Sequence, residues 1–494
     1  MKQYPLSFTL VNGQDENNKQ KILEKNIKYI LWSIGAVLLI LFFWWLMKDP
    51  TSQFAESIPG ADNRGADSAS VGPLVKIGEN FQVFGTSSSN LKGTWTRFRG
   101  ADYDNIVKNS VPLKNSWAGN DPEIKWSVEL GEGHAGPAIY EGKVYVMDYD
   151  EAKREDALRC FSIEDGKELW RRSYNVSLKR NHGMSRTVPA VNADYILTIG
   201  PRCHVMCVKR ETGDLVWGLD MVQQYQTEVP LWFTGQCPMI DGNKAILAPG
   251  GTSVMIAVDM ATGKVLWETP NPGGIKMSHS SIMPWTLNGK KMYVYSAVGA
   301  VIGVSAEGAD EGKILWQSTA WNHAVVAPAP VCFPDGKVFL TAGYGAGSMM
   351  IKVTPSGGEY KVEVLKQYLP KEGMACEQQT PVIWDGKMLA IEPKDAGPLR
   401  NQLICVDPSD VTKVIWTSGK DGRFGLGPYL IADNKMFVLS DDGTLTMIKP
   451  EGKKYIQLAQ KKLFDGQDAW APMALADGFL LLRDAKKMYC VKVN

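Results

Sequence analysis

The phrase that most limits how this chain can fold is AVDMATGKVLW at 257–267. Val258, Val265 and Trp267 favour strands and Thr262-Gly263 supplies a tight turn, so the phrase reads as strand, turn, strand. It returns as CFSIEDGKELW at 160–170, CVKRETGDLVW at 207–217, VSAEGADEGKILW at 304–316 and CVDPSDVTKVIW at 405–416. The tryptophans at 170, 217, 267 and 316 are spaced by 47, 50 and 49 residues. A period of this size marks a repeat architecture, in which stacked units bury faces that none could bury alone.

Around the phrase lies a larger unit: a Pro or Gly, an apolar strand, a turn, and three further strands. Such units open at 136, 187, 235, 280, 327, 379, 426 and 470. In most of them a Gly, Asp-Gly or Asn between two apolar runs is the hairpin signal. The fifth and seventh have no outer tryptophan and run through YKVEVLKQYL and KKYIQLAQKKLF. The eighth reaches Val493 after three strands, and a fourth is available near the other end, in 123–130, which carries IKWSVEL. Pairing head with tail closes a ring and removes the exposed edges of an open array. The expected fold is all-β, an eight-bladed β-propeller of four-stranded antiparallel blades over 93–494. Trp126, Trp170, Trp217, Trp267, Trp316 and Trp416 are expected to fill the wedges between blades. A linear solenoid would need capping units, and neither end reads as one.

Ahead of the repeats, 29–47 (YILWSIGAVLLILFFWWLM) is nineteen residues without a charge, enough to cross a bilayer as a helix. Lys19, Lys21, Lys25 and Lys28 precede it, and after Lys48 no basic residue occurs until Arg64. The positive-inside bias makes 1–28 a cytoplasmic tail and 29–47 a single-pass inner-membrane anchor, with the propeller in the periplasm. A cleaved signal peptide is the competing reading, but the run is long for one and no small-residue cleavage site follows. Residues 48–92, rich in Ser, Gly, Asp and Pro, read as a flexible linker, with 81–84 a short strand docking on the body. The net charge of +1, from 54 basic and 53 acidic residues, gives no field for nucleic acid.

The motif A-x-D-x-x-T-G-x-x-x-W, matched in full by Ala257, Asp259, Thr262, Gly263 and Trp267, resembles the tryptophan-docking motif of the pyrroloquinoline-quinone (PQQ)-type repeat propellers. WTRFRG at 95–100 is similar to the W-x-x-F-R-G opening of a bacterial branch of that family, as are GEGHAGP at 131–137 and AGYGAGSMMIKV at 342–353. A sister group is the lipoprotein propeller that helps assemble outer-membrane β-barrels; no lipidated-Cys signal is read here, so the anchoring is expected to differ. For the quinone-dependent dehydrogenases the resemblance implies PQQ, a calcium ion, an Asp base and two adjacent cysteines. The sequence has no Cys-Cys pair and no C-x-x-C-H, and no acidic residue matches the calcium ligands. No catalytic residue, metal site or cofactor is therefore assigned, and PQQ enters only with an oxidoreductase alternative.

The five histidines point to one place. His134, His182, His279 and His323 lie just before the first strand of a unit, and His204 lies at a turn between second and third strands. Strand alternation puts both positions on one face of the disc. Equivalent loops carry Trp232, Glu377 with Gln378, Arg423 and Trp470. Together they form the expected channel mouth, with imidazole, aromatic and an Arg/Glu pair, suited to a cell-envelope protein or a small-molecule ligand. The plainer reading is that these loops satisfy strand-end backbone. The histidines are spread round the ring, so no metal site of three is expected. Cys160, Cys207, Cys405 and Cys490 share third-strand positions and read as small buried residues; a Cys203–Cys237 bridge is weighed. Arg97 and Arg99 are expected to latch the propeller face, pairing with Asp102 or Asp104. Gly343 to Gly347 (GYGAG) reads as a close-packed turn, since a strand and not a helix follows. The expected function is a membrane-anchored periplasmic binding or scaffold module; the alternative is a quinone-dependent oxidoreductase with a divergent site.

Overall fold

The computed structural model of the chain describes residues 13–47, 74–108 and 110–494. The chain divides into two units, 1–62 and 63–494. In the first, a helix runs over Gly13–Met47, and its stretch Lys19–Met47 is long and apolar enough to cross a membrane, with none of it buried. At about 1.5 Å per residue such a stretch exceeds the ~30 Å of a bilayer core. Of the expected tail, 13–28 is the first part of this helix and 1–12 lies outside the described residues; of the expected linker, 48–73 lies outside them.

The second unit is eight antiparallel sheets. Blades 2 to 7 each use four consecutive strands, from Ala190–Val191 of blade 2 to Ile456–Lys462 of blade 7. Blade 8 takes three strands from the end of the chain (Ala474–Ala476, Phe479–Arg483, Lys487–Lys492) and its fourth from Glu123–Glu129, with Trp126 opposite Cys490. The ring closes as the sequence predicts. Blade 1 has six strands, because Thr94–Trp95 adds to its inner edge and Asn80–Val83 to its outer edge. The short strand expected at 81–84 is thus found one residue earlier, paired to Trp170–Ser173, with the Phe81 ring 6.1 Å from that of Trp170. Within the expected linker, this segment belongs to the propeller, and it covers backbone donors and acceptors that an edge would expose.

The repeat has a steric logic. The Trp of one blade's outer strand lies on a turn glycine of the next blade: Trp126 on Gly166, Trp170 on Gly213, Trp217 on Gly263, Trp267 on Gly312. At Gly263 φ is +72°, and a Cβ there would stand 2.7 Å from the Trp217 ring. Only glycine meets both the left-handed backbone and the ring contact. The indole N–H groups of Trp126 and Trp217 donate to the carbonyls of Ile163 and Met260, 2.7 and 2.9 Å away, one blade on. The pattern breaks at blade 5, whose outer hairpin Gly347–Ser356 and Glu359–Tyr368 is longer. There Trp316 turns back on its own blade, donating to the Met292 sulfur at 3.2 Å, and Trp285 donates to the Phe333 carbonyl of blade 5. Trp416 packs beside Tyr455 of blade 7, 5.9 Å away.

The inner strands surround the segment 94–108. Thr96 O accepts from Val191 N, Arg97 donates to Ile240 O, and Asn105 and Val107 bond Tyr429 O and Ile431 O. Arg99, 6% exposed and at φ +64°, reaches furthest, donating to Thr380 O (2.9 Å) and Pro381 O (3.0 Å). The expected latch therefore runs along the axis and binds carbonyls of blades 3 and 6; Asp102 and Asp104 pair instead with Lys108. This segment, its two arginines included, fills the axial channel against inner strands of blades 1, 2, 3, 6 and 7. All eight cysteines are free, and the weighed Cys203–Cys237 bridge is not formed: Cys203 Sγ contacts Thr234 Oγ1, and Cys237 Sγ accepts from Val188 N.

Candidate functional site

Each first strand starts on the face where its second strand turns into the third. The lead-in loops and those turns therefore share a face, and several of them meet around the axis. Blades 8, 1 and 2 bring together Trp470, His134 and His182, with ring centroids 5.1 Å (Trp470–His134), 5.5 Å (His134–His182) and 5.4 Å (His182–Trp470) apart. Blades 3, 4 and 5 bring together Trp232, His279 and Tyr344, with Trp232 stacked on Tyr344 at 5.7 Å and 5.9 Å from His279. Gln379 of blade 6 donates to Trp470 O at 3.1 Å, and the Trp470 N–H donates to Asp441 of blade 7 at 2.8 Å. Arg483 braces the loop carrying His134 from below, donating to the carbonyls of Gly131, Ala135 and Met147.

Arg186 joins the two ring clusters. Its Nε donates to Trp232 O at 2.7 Å and its Nη2 to His182 O. Burial lowers its guanidinium to about 10, and only Tyr344 opposes that. Burial, then the Arg186 charge, hold His279 down to about 3. His134, 7% exposed, is pushed well below its ordinary value by burial, then by Arg186 and Arg483. Both imidazoles are therefore neutral at physiological pH. No ring nitrogen of either has a well-formed hydrogen bond; the backbones of Asp468 and Phe233 are the polar groups nearby.

The other expected site residues are placed differently. Glu377 is buried against Gly343, whose added Cβ would lie 2.4 Å from its Cγ. Gln378 is half-buried beside it. Arg423 is half-buried and donates to the carbonyls of Lys420 and Arg400. His323 packs edge-on to the buried Trp321 of its own loop, 4.3 Å away. His204 is on the expected face but away from the channel, buried beside Tyr174 at 5.4 Å, with Nε2 3.5 Å from Asp220. Sequence reasoning passed over Arg186, Tyr344 and Arg483. Arg186 had a signal, a charge four residues before a first strand in SRTVPAV, and Tyr344 sat in a turn read only for its glycines.

The sequence profile of the family described as outer membrane protein assembly factor BamB matches residues 115–279 and, overlapping, 154–410. The chain belongs to this family. No curated protein sequence matches it. Among solved structures it is similar in fold to a europium-containing methanol dehydrogenase (TM-score 0.57, 10% identity, 81% of this chain and 98% of that one). It is likewise similar to the quinohemoprotein alcohol dehydrogenase from Comamonas testosteroni (TM-score 0.53, 12% identity, 81% and 80%). BamB from Moraxella catarrhalis aligns with TM-score 0.48 at 10% identity, over 75% of this chain and 99% of that one.

The quinone cofactor of such dehydrogenases is a planar tricyclic acid that needs an open slot and, with its metal, a set of acidic ligands. The residues present do not fit it. Among the described residues no group of three or more His, Cys, Asp or Glu is gathered as a metal requires. One face of Trp470 is stacked on His134 and one face of Trp232 on Tyr344. Beside Arg99 and Thr380 the channel leaves a cavity of about 10 Å³, the room of one water.

Proposed function

We propose that this chain is a membrane-anchored propeller of the bacterial envelope that binds an envelope protein on the face carrying His134, His182, Trp232, His279 and Trp470. The helix Lys19–Met47 anchors it as a single-pass inner-membrane protein, the tail lies in the cytoplasm and the propeller in the periplasm. One observation supports a docking surface over a substrate cavity: the mouth is built of rings packed on one another above a filled channel. What it offers a partner is an aromatic and imidazole surface with Leu231 exposed at its margin. Membership of a family described by an assembly factor agrees with this reading.

The test is site-specific photo-cross-linking of the full chain in intact membranes. Probes at His182 and Leu231 are expected to give one stoichiometric protein adduct. A probe at Ser356, on the opposite face at the tip of the blade 5 hairpin, is expected to give none. Equal labelling from both faces, or no adduct from the first two sites, would refute the docking face.

A further inference from the structure

Arg186 is unusual for a guanidinium at a rim. Its surroundings, among the described residues, hold no carboxylate partner; its acceptors are backbone carbonyls. Arg180, by contrast, engages Glu132 at 3.1 Å, and His182 lies 3.7 Å from Asp468. A partly desolvated cation without a counter-ion is costly, and a carboxylate accepting from it removes that cost. Arg186 is already oriented by the carbonyls of Trp232, His182 and Gly183, which engage Nε and Nη2 and leave the N–H groups of Nη1 for a ligand. The second observation is independent of the first. His134 and His279 are in reach of the Arg186 charge, and both have ring nitrogens that are buried without a well-formed bond.

We infer that the mouth is a carboxylate site, with Arg186 the partner of the anion and His134 and His279 closing on it as donors, and that the carboxylate belongs to the docking polypeptide. This rests on the docking face proposed above. Paired with an acid, Arg186 no longer opposes protonation of the two imidazoles, while burial, the larger cause, still does, so they donate to the carboxylate as neutral rings. The groups facing His134 are Arg186, Arg483, His182 and the Asp468 backbone; those facing His279 are Arg186 and the Phe233 backbone.

The test uses the full chain in detergent, with labelled histidine side chains followed by NMR. The probes are acetate, the tetrapeptide Gly-Ser-Tyr-Phe with a free terminal carboxylate, and its terminal amide. The acid peptide is expected to shift the His134 and His279 resonances and raise their titration midpoints. It should bind at least tenfold more tightly than acetate or the amide. Arg186→Gln is expected to weaken the peptide at least tenfold and Arg186→Lys much less; the wild-type titration decides the matter if Arg186→Gln does not fold. Equal binding of acid and amide, or silent histidines, would overturn the site. Acetate binding as tightly as the peptide would overturn the assignment to a polypeptide. Cross-linking at His182 that survives Arg186→Gln would leave the docking face standing while removing this reading.

Discussion

Gly263 and Gly242 allow the tryptophan-docking argument to be tested within one blade. Both have a left-handed backbone, with φ +72° and +60°. An alanine at either carries the αL penalty of roughly 1–2 kcal/mol, partly offset by a less flexible unfolded chain. They differ in what the new methyl meets. At Gly242 nothing lies within 4 Å, whereas at Gly263 it would stand 2.7 Å from Trp217 Cγ, 2.9 Å from its Cβ and 3.1 Å from its Cδ1. Carbon contacts relax near 3.5–4.0 Å, so the ring or the turn must yield by about 1 Å. Such overpacking costs roughly 1–3 kcal/mol, and tilting the ring strains the 2.9 Å bond from its N–H to Met260 O, worth about 1 kcal/mol more. Gly263→Ala is therefore expected to be about 2–4 kcal/mol less stable than Gly242→Ala. Urea unfolding followed by tryptophan fluorescence reads the difference, with unchanged slope. If the two variants unfold within about 0.5 kcal/mol of each other, the blade contact does not act through the missing Cβ.

Three further outcomes are expected. Burial raises Asp156 to about 7, while Tyr174 donates to it at 2.5 Å. Below about pH 4 both states hold the proton; above that the unfolded chain loses it first, so stability falls as pH rises from about 4 to about 7, by up to roughly 4 kcal/mol. Asp156→Asn should remove that slope in thermal unfolding recorded from pH 4 to 8, and an unchanged slope would clear Asp156 of it. Arg99→Met keeps the bulk but drops three charge-assisted bonds to carbonyls, two of them buried, so the urea midpoint should report a loss of roughly 3 kcal/mol or more; a loss under about 1 would contradict the axial anchor. Purified chain incubated with PQQ and calcium should gain no quinone absorption band and no dye-linked alcohol oxidation, and turnover with either would restore the oxidoreductase reading.

The sequence by itself determined the ring. Spacing between tryptophans is a local property, and a Thr-Gly turn between β-forming runs folds the same way wherever it occurs. Closure followed from counting strands, since three at one end leave an edge that only 123–130 could cover, and Trp126 sits there opposite Cys490. The shared face of four lead-in histidines followed from strand alternation alone. Tertiary structure decided the rest, because it depends on distances across the ring. Arg99 and Thr380 are 281 residues apart, and nothing local says that one enters the axis to bind the carbonyl of the other. His204 shares its face with His134 yet lies outward beside Tyr174, because strand order sets the face of a residue but not its radius. Arg186 gained its place between two ring clusters only when the loops of blades 2 and 3 converged on it.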